Sequence, residues 1–190
     1  MEQCYDLYLT PAATTLATST ILDAERLLRL HPHWFLEDTE QRHTALFANL
    51  RDYATEQTFS LGLQLDSTSA PDDPFQAEII MRITLFDYGV QELLFFADQE
   101  KTQVRVRYEE EAFNDELEQD ILLWVRGIQE YLRLYVSTTP RTVFFRLLMN
   151  RMILQMNPSQ RKICLMLTKI TVVELVVIFI IVIGYVFLGQ

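Results

Sequence analysis

His31 and His33, one residue apart across Pro32 and followed ten residues later by His43, are of the type that holds transition metals. Zinc and its neighbours need several imidazole, thiolate or carboxylate ligands converging from fixed spacings. No cysteine lies near these histidines, and Glu37, Asp38 and Glu40 follow them without a ligand spacing. The segment reads instead as a proline-bearing turn with Trp34 packed beneath it. The carboxylate-rich run Glu109 to Asp120 has the chemistry of a Ca²⁺ loop but not the Asp-x-Asp-x-Asp-Gly order, and reads as the solvated start of a helix. Gly-x-Ser-x-Gly, His-Glu-x-x-His, Cys-x-x-Cys and a glycine-rich phosphate loop are all missing, and the five glycines are scattered. No residue is therefore assigned to catalysis or to a metal, and no cofactor is expected.

Location is easier to read than chemistry. Ile170 to Leu188 is a nearly unbroken apolar run followed only by Gly189 and Gln190. As a helix it would measure roughly 28 Å, close to the ~30 Å of a bilayer core. Charge supplies a direction. Residues 1–130 carry 25 of the 26 carboxylates against nine Lys or Arg, whereas Tyr131 to Val173 contains no acid and seven bases. Bases beside a span favour the cytoplasmic side, so the expectation is a single-pass protein with its N-terminal domain cytoplasmic and its C-terminus on the opposite side. So short a tail implies insertion after synthesis, as in tail-anchored proteins. Residues 1–20 lack the basic start and apolar run of a secretory signal.

The part ahead of the neck, about 135 residues, is long enough for one core. Its charge, near −16 from nine bases and 25 acids, argues against nucleic acid as a partner, because phosphate binding needs clustered bases. Cys4 and Cys164 stand near opposite ends, the second beside the span, so a mutual disulfide is not expected. Cys164 suits palmitoylation or a plain apolar role in the approach to the anchor.

The elements that must position any site follow from periodicity. Tyr5, Leu7 and Leu9 alternate in a strand over Cys4 to Thr10. Thr20 and Asp23 resemble a capping box for a helix stopping before Pro32. Leu46, Phe47, Leu50 and Tyr53 recur on one face of a second helix expected over about 38–54. The period then changes to two: Phe59 to Leu65, Ala77 to Leu85, Val90 to Ala97 and Thr102 to Glu109 read as a four-strand antiparallel meander. Asn114 caps a long helix with the apolar stripe Leu117, Ile121, Trp124, Val125, Ile128, Leu132 and Tyr135, its positive end complemented by Asp115, Glu116 and Glu118. Candidate linkers are 66–74 and 137–142.

A strand, two short helices, a meander and one closing helix is a chain order that resembles the helix-grip fold of the START-like or SRPBCC superfamily. The local likeness lies between Ala77 and Val136, in the strand Gln103-Val104-Arg105-Val106-Arg107-Tyr108, the acidic connection, and the Trp-containing helix from Ile121 to Leu132. The resemblance implies an α+β domain over 1–138, with a curved antiparallel sheet closed by a long C-terminal helix around an apolar cavity. A basic amphipathic juxtamembrane segment over 139–162 and a single transmembrane anchor over 163–190 would follow. It also implies an apolar ligand, such as a lipid, held between sheet and helix by Leu61, Leu63, Met81, Ile83, Phe96, Val104, Val106, Trp124 and Ile128. The same residues equally form a plain filled core. Some helix-grip proteins are enzymes with no motif, so the enzyme class stays open. The competing reading is an adaptor or accessory subunit of a membrane complex, holding a membrane-protein partner through its acidic surface and its span.

In the neck, Phe144, Phe145, Leu148, Met149, Met152, Ile153 and Met156 share one half of a helical wheel, opposite Arg146, Asn150 and Asn157. This is the pattern of a membrane-surface helix, and Phe144, Phe145 and Leu148 with Arg141, Arg146, Arg151, Arg161, Lys162 and Lys169 are expected at the interface with membrane lipids. Val143, Leu147 and Leu154 spoil the polar side, which leaves packing against a protein as the alternative. Glu174 marks the headgroup boundary or, if the apolar helix starts near Ile163, lies inside the hydrocarbon and needs a proton or a partner.

Overall fold

The computed structural model describes residues 1–9, 22–66, 78–97, 102–136 and 138–188. It divides into two compact units, Met1–Gln155 and Met156–Gln190.

The first unit is an α+β helix-grip domain built on a seven-stranded sheet, antiparallel throughout, in the order β1-β7-β6-β5-β4-β3-β2. The strands are β1 (Glu2–Asp6), β2 (Trp34–Arg42), β3 (Ala45–Asp52), β4 (Thr58–Asp66), β5 (Glu78–Phe86), β6 (Val90–Ala97) and β7 (Thr102–Tyr108). Sequence neighbours from β2 to β7 pair as hairpins, while β1 joins the far edge beside β7. The chain between β1 and β2, containing α1 (Ala24–Arg29), therefore crosses from one edge of the sheet to the other. The exposed edge strand β2 carries Glu37, Asp38, Glu40 and Arg42, charges that discourage pairing with another chain.

Helix α2 (Asp115–Val136) covers the concave face with Ile121, Trp124, Val125, Ile128, Tyr131 and Leu132. The spacing is the expected apolar stripe. Its cap is Asn114, whose side-chain oxygen accepts from the Leu117 N–H at 2.7 Å. Gly127 lets α2 approach the end of α1 so closely that a Cβ there would sit 2.4 Å from the Leu30 carbonyl oxygen. Beside it the Trp124 indole donates to the Leu27 carbonyl at 2.6 Å, fully buried.

Two expectations about helices need correction. The segment expected as a helix over 38–54 is the β2–β3 hairpin, turning at His43 with a positive φ of 55°. Its true period is two: Ala48, Leu50 and Asp52 point inward, while Phe47 lies on the other face against Phe86. Leu46, Phe47, Leu50 and Tyr53 thus mix both faces of a strand, and their helical spacing is accidental. The first helix is also shorter than expected. Its cap is Asp23, which accepts from the Arg26 N–H at 2.7 Å, and Thr20 lies outside the described residues, as do residues 67–74 of the first candidate linker.

Two further helices follow. Helix α3 (Pro140–Arg151) is capped by a reciprocal Thr139–Thr142 box and followed by a 3₁₀ turn, Ile153–Gln155, whose Leu154 is buried in the core. The second unit is α4 (Pro158–Leu188), which is long and apolar enough to cross a membrane over Pro158–Tyr185. Glu174 is exposed on α4.

Candidate functional site

Eight of the nine residues expected to line a ligand cavity come together in the interior. Leu63, Ile83, Val104, Val106, Trp124 and Ile128 have no accessible surface, and Leu61 and Met81 have 1% and 2%. Residues around a void wide enough for water would show surface to it. This contact set is a packed core, continuous with Leu50, Leu93, Phe95 and Tyr108. Phe96 does not join it. It lies on the outer face, with the Arg105 guanidinium 4.7 Å from its ring centroid, and Phe95 takes the inward place. The cause is a bulge between Val90 and Glu92, which changes the parity of every later residue on β6.

Polar chemistry collects instead where the bend after α1 meets the first turns of α2. His31 is fully buried and stacks on Trp34, ring centroids 4.0 Å apart. Its Nδ1 accepts from the His33 backbone N–H at 3.3 Å, which leaves the proton on Nε2 to be donated to Asp120 Oδ1 at 3.1 Å. Tyr88, from the β5–β6 turn, donates its hydroxyl to the other Asp120 oxygen. Burial opposes ionisation of Asp120, but the His31 hydrogen bond and charge, the Tyr88 hydroxyl and the charge of His33 outweigh it and hold the carboxyl below its ordinary value. The Tyr88 phenol is pushed well above its usual value, first by burial and then by the Asp120 charge. The cluster is a protonated phenol and an imidazole N–H clamped on one carboxylate.

Beside it opens a cleft of about 420 Å³, lined by His33, Asp52, Tyr88, Glu116, Asp120 and Leu123 among others. The donors on Asp120 are already committed inside the cluster, and the lining contains no thiol or serine hydroxyl beside a base. The arrangement can fix the bend to α2 and present a weakly acidic wall. Asp120 escaped the sequence reading because it sits in an acid-rich run, although its spacing of four before Trp124 and of eight before Ile128 puts it on the buried side of α2.

The three histidines do not converge. His43 is at the hairpin turn, a strand of nine residues away from His33, or ~30 Å at 3.3 Å per residue. Among the described residues no group of His, Cys, Asp and Glu is arranged to hold a metal ion.

In the neck segment, Arg146 and Asn150 face the domain. Arg146 donates from Nε to the Leu134 carbonyl at 2.8 Å and lies over the Tyr135 ring, while Asn150 joins the Tyr131 and Tyr135 hydroxyls at 2.8 and 3.0 Å. Arg146, expected at the membrane interface, is thus engaged with the domain. Phe144, Phe145, Arg141 and Arg151 are exposed and Leu148 is half-buried; in the second unit Lys162 and Lys169 are exposed, and Arg161 donates to the Met156 carbonyl at 3.0 Å.

No protein family and no curated protein matches the chain by sequence. Among solved structures it is similar to Chr148 from Cytophaga hutchinsonii, at 13% identity and a TM-score of 0.42 over 73% of this chain and 96% of that one. It is also similar to Ara h 8.0201, at 19% identity and a TM-score of 0.37 over 70% of this chain and 96% of that one. At these values neither lends the chain a function.

Proposed function

We propose that this protein is a membrane-anchored adaptor: a cytoplasmic helix-grip domain with a filled interior, tethered by α4, that holds a membrane-protein partner through its acidic surface and its span. The observation that carries the choice over a lipid or apolar-ligand carrier is the absence of accessible surface on Leu63, Ile83, Val104, Val106, Trp124 and Ile128. A carrier needs several hundred Å³ between sheet and helix, and these are the residues that would line it. The net charge near −16 on residues 1–130, from nine bases and 25 acids, supports the adaptor further. It repels the domain body from anionic headgroups and suits a basic protein surface.

Overpacking separates the two readings. Ile83→Phe and Val106→Phe in the full chain should each lower thermal stability by ~1–3 kcal/mol, since a filled core has no room for the larger ring. Unchanged or increased stability in both variants would mean a cavity exists and would favour the carrier.

A further inference from the structure

Helix α3 turns Arg146, Asn150 and the partly buried Met149 inward and leaves Val143, Phe144 and Leu147 outward. Arg146 and Asn150 fasten it to Leu134, Tyr131 and Tyr135 at the end of α2, and Leu154 plugs the core just beyond it. Val143, Phe144 and Leu147 are left 49%, 60% and 58% exposed. A helix packed only by burial would turn those residues toward the domain. Here hydrogen bonding to two tyrosine hydroxyls fixes this rotation, so Val143, Phe144 and Leu147 are presented to something outside the domain.

We infer that this face docks on the surface of an anionic lipid leaflet. Three observations select a bilayer over a protein. At 100° per residue, Arg141 and Arg151 stand on the same half of α3 as Phe144 and Leu147, and both are exposed. On a bilayer their stems can lie along the apolar surface while their guanidinium groups reach phosphates; a protein groove would need a carboxylate for each. From Tyr131 to Val173 the chain has seven bases and no acid, and each base near an anionic surface contributes ~1 kcal/mol. Finally, only six residues separate Arg151 from Pro158, where α4 begins, a reach of at most roughly 25 Å. The inference rests on the reading of α4 as a membrane span, since that tether brings α3 to the lipid. A docked α3 leaves the Asp120 end of α2, roughly 22 Å along the helix from Tyr135, available to a partner.

The test uses the full chain with Cys4→Ser and Cys164→Ser, carrying one new cysteine labelled with an environment-sensitive dye, in vesicles containing nitroxide-labelled lipid. Leu147→Cys reports on α3, Ser60→Cys on the exposed outer face of β4, and Val177→Cys on the span. In vesicles of phosphatidylcholine and phosphatidylserine the dye at 147 should be quenched and that at 60 should not. Quenching at 147 should weaken in phosphatidylcholine alone. The docking equilibrium should drop about fivefold for each of Arg141→Gln and Arg151→Gln. If 177 is quenched and 147 is no more quenched than 60, or if 147 is quenched equally in neutral lipid, the docking is overturned while the anchor stands. An unquenched 177 overturns the anchor itself, and the docking with it.

Discussion

His31 donates through Nε2 to Oδ1 of Asp120 at 3.1 Å, and this bond ties the bend after α1 to the second turn of α2. The imidazole is fully buried and the carboxylate one-fifth exposed, so the pair closes the end of the core at which β2, the β5–β6 turn and α2 meet. Trp34 stacks on His31, Tyr88 hydrogen-bonds Asp120, and the Trp34 and Tyr88 rings meet edge to face with centroids 5.2 Å apart.

The pair sets a pH dependence of known sign. A carboxyl held below its unfolded value stabilises the fold fully above the unfolded value, ~3.9 for Asp, and that contribution disappears as pH falls through the lower folded value. Asp120, facing His31, His33 and Tyr88, is such a carboxyl. Its contribution should hold from neutrality to about pH 4 and fade below. Asp120→Asn should lower stability at pH 7 by roughly 1–3 kcal/mol and flatten the acid limb of the melting-temperature profile. A profile parallel to that of the wild type would remove Asp120 from the account.

Gly127 should not tolerate alanine. In an exposed helix the change would gain ~1 kcal/mol, but here the added Cβ meets a backbone oxygen at 2.4 Å, so α1 or α2 must move. The expected net result is a loss of ~1–3 kcal/mol in denaturant unfolding. A gain in stability would mean that the helices are not this close.

Asn150→Ala should loosen α3 from α2. It removes one partner each from the Tyr131 and Tyr135 hydroxyls, which keep only each other at 3.2 Å. A loss of ~1–2 kcal/mol is expected, with hydrogen exchange accelerated over residues 140–151 and unaltered in β5 to β7. Exchange unchanged over α3 would show that the polar clasp does not hold it.

The meander and α2 were legible because each has one solvated and one buried face, so apolar residues recur at the element's own period. Val104 and Val106 alternate with Arg105 and Arg107, and Ile121, Trp124, Val125 and Ile128 keep helical spacing. The β2–β3 hairpin was illegible for the opposite reason. Phe47 covers the outer face while Leu46 and Leu50 face the core, and together they leave a false helical pattern that tertiary pairing overrides. Phe96, expected in the cavity, falls on the outer face because a bulge that nothing in the residue types announces shifts the alternation along β6. The rotation of α3 is set by contacts of Arg146 and Asn150 with residues 11 to 19 positions earlier. Spacing within the helix grouped Met149 with Phe144 and set Val143 and Leu147 opposite, whereas packing turns Met149 to the core and Val143, Phe144 and Leu147 outward.

The filled interior is tested most directly by the chain's two tryptophans, Trp34 and Trp124, both of which lie in it. In the full chain reconstituted in vesicles, brominated fatty acid should leave their fluorescence unchanged, because no bromine can reach an indole packed on all sides. Loss of a large part of that fluorescence, reversed by excess unbrominated fatty acid, would place an acyl chain between sheet and helix and contradict the adaptor account.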